Sequence, residues 1–327
     1  MARVLVTGGA GYVGAHACRA LAAAGHVPIT FDNLSTGWRQ AVRFGPLVEG
    51  DLLDPTSLDA AFSAQAPDAV MHFAAFSNVG ESVAAPERYW RNNFAGSLTL
   101  LEAMQRHGVD RLVFSSTCAV YGAARGAVLT ETDPRAPINP YGRSKLAVEH
   151  MIGDFGAAHG LRSVIFRYFN AAGAEPASGI GEHHVPETHL IPLVLDAVSG
   201  RRANITVFGT DYDTPDGTCI RDYIHVSDLA EAHLLGLEHL LAGGESLALN
   251  LGSGTGHSVR AVIETAAEVT GGPVPAVDGP RRPGDPPRLV SGSAQAAAAL
   301  GWRCTRSDLW RMIADAWAWH QTGGYRG

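Results

Sequence analysis

Over the first half of the chain, short runs of consecutive apolar residues alternate with longer stretches whose apolar positions recur every three or four residues. Val4-Leu5-Val6, Val27 to Phe31, Pro46 to Val48, Ala69 to Phe73, Arg111 to Ser115 and Leu161 to Phe166 read as strands. A helix follows the glycine cluster Gly8 to Gly14, runs through Leu21 and Ala24, and is closed by Gly25. Pro55 to Ala64, a long run from Pro86 to His107, and Pro140 to Ala158 read as further helices. Strands apolar along their whole length are buried on both faces. Their alternation with helices predicts a parallel sheet covered on both sides, an α/β fold of the doubly wound, Rossmann-like kind. An all-strand fold would need hairpin turns at short spacing, and these are absent.

After Asn170 the texture changes. Gly173 to Pro192 is rich in Gly, Pro, Glu and His and shows little periodicity. Beyond it, short strands (Ile205 to Phe208, Ile220 to Val226) mix with helices at Val259 to Val269, Ala294 to Ala299 and Ser307 to Trp319. Residues 1–170 are therefore expected to form the first domain. Residues 171–327 are expected to form a second, smaller α/β lobe that sends some segments back to the first.

A length of 327 residues accommodates two such units. The net charge of −7 gives no basic footprint, so nucleic acid is not an expected partner. Cys18, Cys118, Cys219 and Cys304 are scattered without a CxxC pair, which argues against a disulfide framework and a zinc site and favours a reducing, cytoplasmic setting. No apolar run approaches the roughly 18 residues of a membrane span, and the apolar start leads straight into the glycine cluster rather than reading as a leader.

Thr7 to Gly14 joins the first strand to the first helix and spaces Gly8, Gly11 and Gly14 by three. Glycines there permit a tight turn, close approach to a pyrophosphate and close helix–strand packing, and the helix N-terminus offers free N–H groups to phosphates. A plain tight turn has the same composition. Asp32, at the end of the second strand, adds a carboxylate suited to a ribose 2′-hydroxyl and hostile to a 2′-phosphate, favouring NAD over NADP. Asp51, after the third strand, suits the adenine edge and equally suits an exposed loop. Tyr141 and Lys145 stand four apart on one helix face, where an ammonium favours the phenolate. An ordinary amphipathic helix also produces that spacing. Ser115, Ser116 and Thr117 close the fifth strand, at the end of the sheet where ligands sit.

Taken together, these motifs resemble the extended short-chain dehydrogenase/reductases, and within them the nucleotide-sugar epimerases. The resemblance runs essentially end to end: VTGGAGYVGAH (Val6 to His16), FDNLSTG (Phe31 to Gly37), EGDLLD (Glu49 to Asp54), HFAAFSNVGESV (His72 to Val83), Asn92-Asn93, FSSTCAVYG (Phe114 to Gly122), NPYGRSKLAVE (Asn139 to Glu149), RYFNAAGA (Arg167 to Ala174), DGTCIRDYIHV (Asp216 to Val226), NLGSGTGHSV (Asn250 to Val259) and RRPGD (Arg281 to Asp285). It implies an enzyme that interconverts UDP-glucose and UDP-galactose, inverting C4 through transient NAD-dependent oxidation to a 4-keto sugar, with UDP-N-acetylhexosamines as further substrates.

The resemblance assigns NAD to Gly8, Gly11, Tyr12, Val13, Gly14, Asp32, Asn33, Leu34, Ser35, Thr36, Gly37, Asp51, Leu52, Phe73, Ala74, Ala75, Phe76, Ser77, Asn93, Ser115, Tyr141, Lys145 and Phe169. Thr117, Tyr141 and Lys145 would be catalytic, and Thr117 and Tyr141 would also touch the sugar. Asn170, His189, Leu190, Phe208, Arg221, Arg282 and Asp285 would hold the UDP-sugar. The chain departs from the family pattern at Ser77, where lysine is frequent, at His189, where asparagine is common, and at Leu289, where some members place a tyrosine beside the N-acetyl group. The resemblance also implies a homodimer, pairing the helices that end at His107 and Ala158.

Other readings are weaker. A 4,6-dehydratase needs an Asp-Glu pair where this chain has Cys118-Ala119. A pentose epimerase, a decarboxylase and a non-catalytic dinucleotide sensor share the glycine turn. His183, His184, Glu187 and His189 match no standard metal spacing and read as a solvated loop, so no metal is expected. Cys118 reads as a packing residue rather than a nucleophile.

Overall fold

The first strand, β1 (Arg3–Thr7), is apolar at its three central positions because both its faces are covered: Val4 and Val6 enter one cluster of buried side chains and Leu5 another. The computed structural model describes residues 1–122, 128–282 and 286–325. In chain order β1 is followed by α1 (Tyr12–Ala23), β2 (Val27–Asp32), β3 (Leu47–Glu49), α2 (Pro55–Gln65), β4 (Ala69–His72), α3 (Val79–Ala84), α4 (Pro86–Tyr89), α5 (Gly96–Arg106), β5 (Arg111–Ser115), α6 (Pro140–His159) and β6 (Arg162–Arg167). Then come β7 (Asn170–Ala172), β8 (Ala174–Glu175), β9 (Ile180–Gly181), α7 (Leu190–Val198), β10 (Ile205–Phe208), β11 (Ile220–His225), α8 (Val226–Leu241) and β12 (Leu247–Asn250). The chain closes with β13 (Gly256–Ser258), α9 (Val259–Thr270), β14 (Ala276–Gly279), β15 (Arg288–Leu289), α10 (Ala294–Leu300) and α11 (Leu309–Gln321).

Seven strands form one parallel sheet in the order β12-β6-β5-β4-β1-β2-β3. The order reverses between β1 and β4, and in such sheets ligands bind beyond the carboxyl ends of the strands at that reversal. Residues of α1 and α8 cover one face, while those of α2, α5 and α6 cover the other. A third cluster joins α7, α9 and α11 around β10 in the remaining lobe. No helix among the described residues is long and apolar enough to cross a membrane.

The doubly wound sheet agrees with the sequence expectation, and three details correct it. The predicted helix from Pro86 to His107 is interrupted: Trp90–Ala95 between α4 and α5 is a π-helical stretch. The last residues of the aperiodic segment Gly173 to Pro192 begin α7. Helix α8 and strand β12 were not foreseen. Gly236, which reads as a helix breaker, faces the ring of Phe166, where a Cβ would sit 2.9 Å from the ring carbons. Glycine there lets α8 lie close on β6. The end of α8 nearest the sheet's ligand edge is tied down by Asp228, which accepts hydrogen bonds from Thr305 N, Thr305 Oγ1, Arg306 N and Ser307 Oγ.

Candidate active site

The turn between β1 and α1 is built for close approach. Gly8 has φ +73°, and a Cβ on it would lie 2.5 Å from the nitrogen of Ala74 on the neighbouring β4 loop. A Cβ on Gly14 would lie 2.2 Å from Gly8 O. Gly11 is the N-cap of α1, no side chain caps that helix, and its first turn has no acidic residue, so Tyr12, Val13 and Gly14 leave amide donors for an anion. The carboxylate of Asp32 accepts from Ala10 N (3.0 Å) and Leu34 N (2.8 Å), locking the end of β2 to the turn, while burial raises its pKa against those bonds. Asn33 Nδ2 donates to Asp51 Oδ2 (2.9 Å), and Asp51 Oδ1 accepts from Leu53 N, so Asp51 organises its own loop beside the buried Leu52. Ser35 N bonds Asn33 Oδ1, and Ser35 and Thr36 are exposed, while Gly37 packs on Ala10. These groups fit a dinucleotide: a glycine cradle that a side chain would fill, a helix end without a cap, and a carboxylate at the ribose position.

Phe73, Ala74, Ala75, Phe76 and Ser77 leave β4 beside that turn, with Ser77 exposed. Asn93 pins this loop: its Nδ2 donates to Phe76 O and its Oδ1 accepts from Phe76 N, both at 2.9 Å. Asn93 is buried and belongs to the π-helical stretch, a kind of insertion that recurs at functional sites. Phe169 packs with Leu146 against the cluster around Cys118, after β6.

Thr117, Tyr141 and Lys145 come together beyond β5. Thr117 ends the strand segment and caps a short 3-10 turn by accepting from Ala119 N (3.1 Å). Tyr141 and Lys145 occupy the first two turns of α6, whose N-cap Asn139 accepts from Gly142 N (2.8 Å). Burial pushes the Tyr141 phenol up to about 12, against a hydrogen bond from Thr117 that lowers it. Burial pulls the Lys145 amine down to about 7, against the carboxylate of Glu149. Lys145 Nζ donates to Ser115 O at 2.8 Å and lies 4.8 Å over the Phe114 ring, and loss of water dominates both groups. Cys118 is fully buried and its thiol is pushed up by burial, consistent with packing rather than nucleophilic chemistry.

The residues expected at the sugar nucleotide come from both lobes. Asn170 Nδ2 donates to Asp222 O (2.8 Å), where β7 runs beside β11. Arg221 Nη1 donates to the carbonyls of Ile220 and Pro286, and its register partner on β15 is Leu289. The Arg282 guanidinium stacks 4.0 Å over the Phe208 ring. Leu190 opens α7, but His189, its N-cap, turns its ring to Glu182 and hydrogen-bonds it through Nδ1. Asp285 lies outside the described residues.

Sequence reasoning missed the support behind Thr117. Ser116 Oγ donates to Glu149 Oε1 (2.6 Å), and Arg167 holds both oxygens of Glu149 through Nε (2.9 Å) and Nη2 (2.7 Å) while its Nη1 donates to Tyr121 OH (2.8 Å). Glu149 lies four residues after Lys145, which is a visible helical spacing, but its partner on β6 is revealed only by the packing. Sequence reasoning also read the loop of His183, His184, Glu187 and His189 as solvated and passed over Glu182, whose side chain is 6% exposed.

Comparisons with known proteins agree with this architecture. Residues 4–252 match the NAD dependent epimerase/dehydratase family. A UDP-glucose 4-epimerase of Azospirillum brasilense is 54% identical over 321 residues, spanning 98% of this chain and 92% of that protein. The crystal structure of UDP-glucose 4-epimerase from Brucella ovis in complex with NAD superposes with a TM-score of 0.95 at 49% identity, covering 97% of this chain and 98% of that one. The UDP-glucose-4-epimerase of Stenotrophomonas maltophila, with bound NAD and formylated UDP-arabinopyranose, reaches 0.95 at 40% identity over 99% of both chains. A family match over most of the chain, together with relatives of this identity along nearly its whole length, establishes that the chain belongs to the NAD dependent epimerase/dehydratase family.

Proposed function

We propose that the protein is an NAD-dependent UDP-glucose 4-epimerase, an isomerase that interconverts UDP-glucose and UDP-galactose. The observation that carries this reading is the placement of Tyr141 and Lys145 one turn apart on α6, with Lys145 anchored on Ser115 O at the carboxyl end of β5 beside Thr117 and the glycine cradle across the switch point. When bound, NAD supplies the hydride acceptor for the sugar C4 and a positively charged ring near the phenol. Tyr141, lowered from its buried value by positive charge, accepts the 4-hydroxyl proton by way of Thr117 and later returns it. Lys145, anchored on Ser115 O, holds the nicotinamide ribose. Asp32 and the α1 N-terminus hold the adenosine half and the pyrophosphate. Arg221 and Arg282 grip the UDP diphosphate with paired donors, leaving the 4-keto sugar free to turn its other face. Residues 1–170 carry most of the cofactor site and residues 171–327 most of the sugar-nucleotide site.

Leu289 lies beside Arg221 in the β11–β15 register, and an aliphatic residue is less bulky than the tyrosine that some family members carry there, which supports UDP-N-acetylhexosamines as further substrates. The protein is expected in the cytoplasm as a homodimer joined through α5 and α6. Light scattering should give twice the 34.4 kDa chain mass, and a monomer at micromolar concentration would contradict the pairing.

Incubation with UDP-galactose, followed by product chromatography, should yield UDP-glucose. Tyr141→Phe should lower turnover by at least ~100-fold while NAD stays bound, since general acid–base groups contribute about that much or more. A variant that turns over normally would remove Tyr141 from the proton path.

A further inference from the structure

The structure gathers Glu182, His184, Glu187 and His189 into a knot whose four candidate ligand atoms all lie within 4.8 Å of one another. His184 Nδ1 faces Glu182 Oε1 at 3.3 Å and Glu187 Oε2 at 3.6 Å, and His189 Nδ1 meets the same Glu182 oxygen. The two carboxylate side chains are largely shielded, at 6% and 13% exposure. His184 Nδ1 is itself buried yet makes no hydrogen bond of proper geometry, although two carboxylates flank it. Bringing two carboxylates together away from water requires positive charge between them.

The supports of this cluster are those of a ligand set. Trp319 Nε1 donates to Glu182 O (2.8 Å) and Trp38 Nε1 to His183 O (2.9 Å), so the backbone carrying Glu182 and His184 is held by two indoles. Glu187 Oε1 accepts from the backbone amides of Thr188 (2.7 Å) and His189 (2.8 Å), which leaves Oε2 directed at His184. Outer-shell bonds of this kind orient metal-binding side chains.

We propose that Glu182, His184, Glu187 and His189 form a binding site for a divalent transition-metal ion of the zinc class, one per chain. Two imidazoles with two carboxylates make the tetrahedral N/O set that zinc accepts, whereas magnesium and calcium prefer oxygen alone. At zinc–ligand distances of ~2.0–2.1 Å the ligand atoms stand roughly 3.3 Å apart, so the present spread closes with small side-chain movements. The spacing escapes sequence reading because the fourth ligand is Glu182 rather than His183. The ion would clamp the segment after β9 to the N-cap of α7, with His184 edge-on to Tyr12 of the dinucleotide turn at 6.5 Å between rings. It is structural and takes no part in the proton transfer at Tyr141.

The full-length protein, stripped with EDTA and dialysed, should take up one equivalent of Zn²⁺ in isothermal titration, and its thermal midpoint should rise on loading. His184→Gln and Glu182→Gln should each weaken uptake at least tenfold and lose the thermal shift, while His183→Gln keeps both. Zinc K-edge absorption on the loaded wild-type protein should show only nitrogen and oxygen neighbours. That measurement carries the test if the variants fold poorly. Absence of stoichiometric uptake by the wild-type protein would overturn the site and identify the cluster as an ion-pair knot of protonated imidazoles. So would equal uptake by the folded ligand variants, or a sulfur shell from the chain's cysteines.

Discussion

At the scale of single residues, desolvation outweighs direct charge pairing at Tyr141 and Lys145. Tyr141 and Lys145 are both driven toward their neutral forms by burial, which leaves the phenol to be activated by charge that arrives with a ligand. His72 shows the same force in a structural role. Its Nδ1 pairs with Thr7 Oγ1 (2.6 Å) and its Nε2 with Ser97 Oγ (2.8 Å), tying β4 to β1 and α5. Burial, helped by the Lys145 charge, lowers its pKa from 6.5 to about 3. Between those two values the unfolded chain binds a proton that the folded chain refuses, so the fold loses stability as pH falls from 6.5 toward 3 and keeps it in full above 6.5. The limiting slope for one such group is about 1.4 kcal/mol per pH unit. Urea midpoints of the wild-type protein should therefore drop between pH 6.5 and 4, and His72→Gln should flatten that drop by about one proton. Parallel curves for the two proteins would assign the acid sensitivity elsewhere.

At the scale of elements, the β1–α1 connection is where local sequence and tertiary contact agree most closely. The threefold glycine spacing is visible in the chain, and the reason for it is a contact inside the turn: any Cβ on Gly14 collides with Gly8 O. Gly14→Ala should lift α1 from the turn, cost about 1–3 kcal/mol in stability as overpacking does, and release the dinucleotide. Thermal unfolding together with analysis of bound nucleotide would check both effects, and an alanine variant of normal stability that retains NAD would refute the crowding. The helix after β4 teaches the converse. Its periodicity predicted one uninterrupted rod, but the π-helical stretch at Trp90–Ala95 accompanies the inward placement of Asn93, which bonds the Phe76 backbone in both directions. Hydrophobic spacing reports which side of a helix is buried and carries little signal for one extra residue in a turn.

At the scale of the whole molecule, the two halves of the chain are not independent. Strand β12 completes the edge of the main sheet beside β6, and α8 covers the face made by Val4, Val6, Val164 and Phe166. A fragment ending at Asn170 would lack both, exposing that apolar face and an unpaired parallel edge. It should aggregate or unfold without a cooperative transition in circular dichroism, and a soluble, cooperatively melting fragment would show that the first half suffices. The periodicities of β1 to β6, the glycine turn, the Tyr141–Lys145 spacing and the carboxylate at Asp32 were all legible along the chain, because each depends on residues a few positions apart. The return of β12 and α8, the Arg167–Glu149 support under Thr117, and the meeting of Glu182 with His184 and His189 were not. They join segments as distant in the chain as α8 and β1, or, like Glu182 and His184, depend on what excludes water from a charge, and neither distance in space nor dielectric environment is written in the order of neighbours.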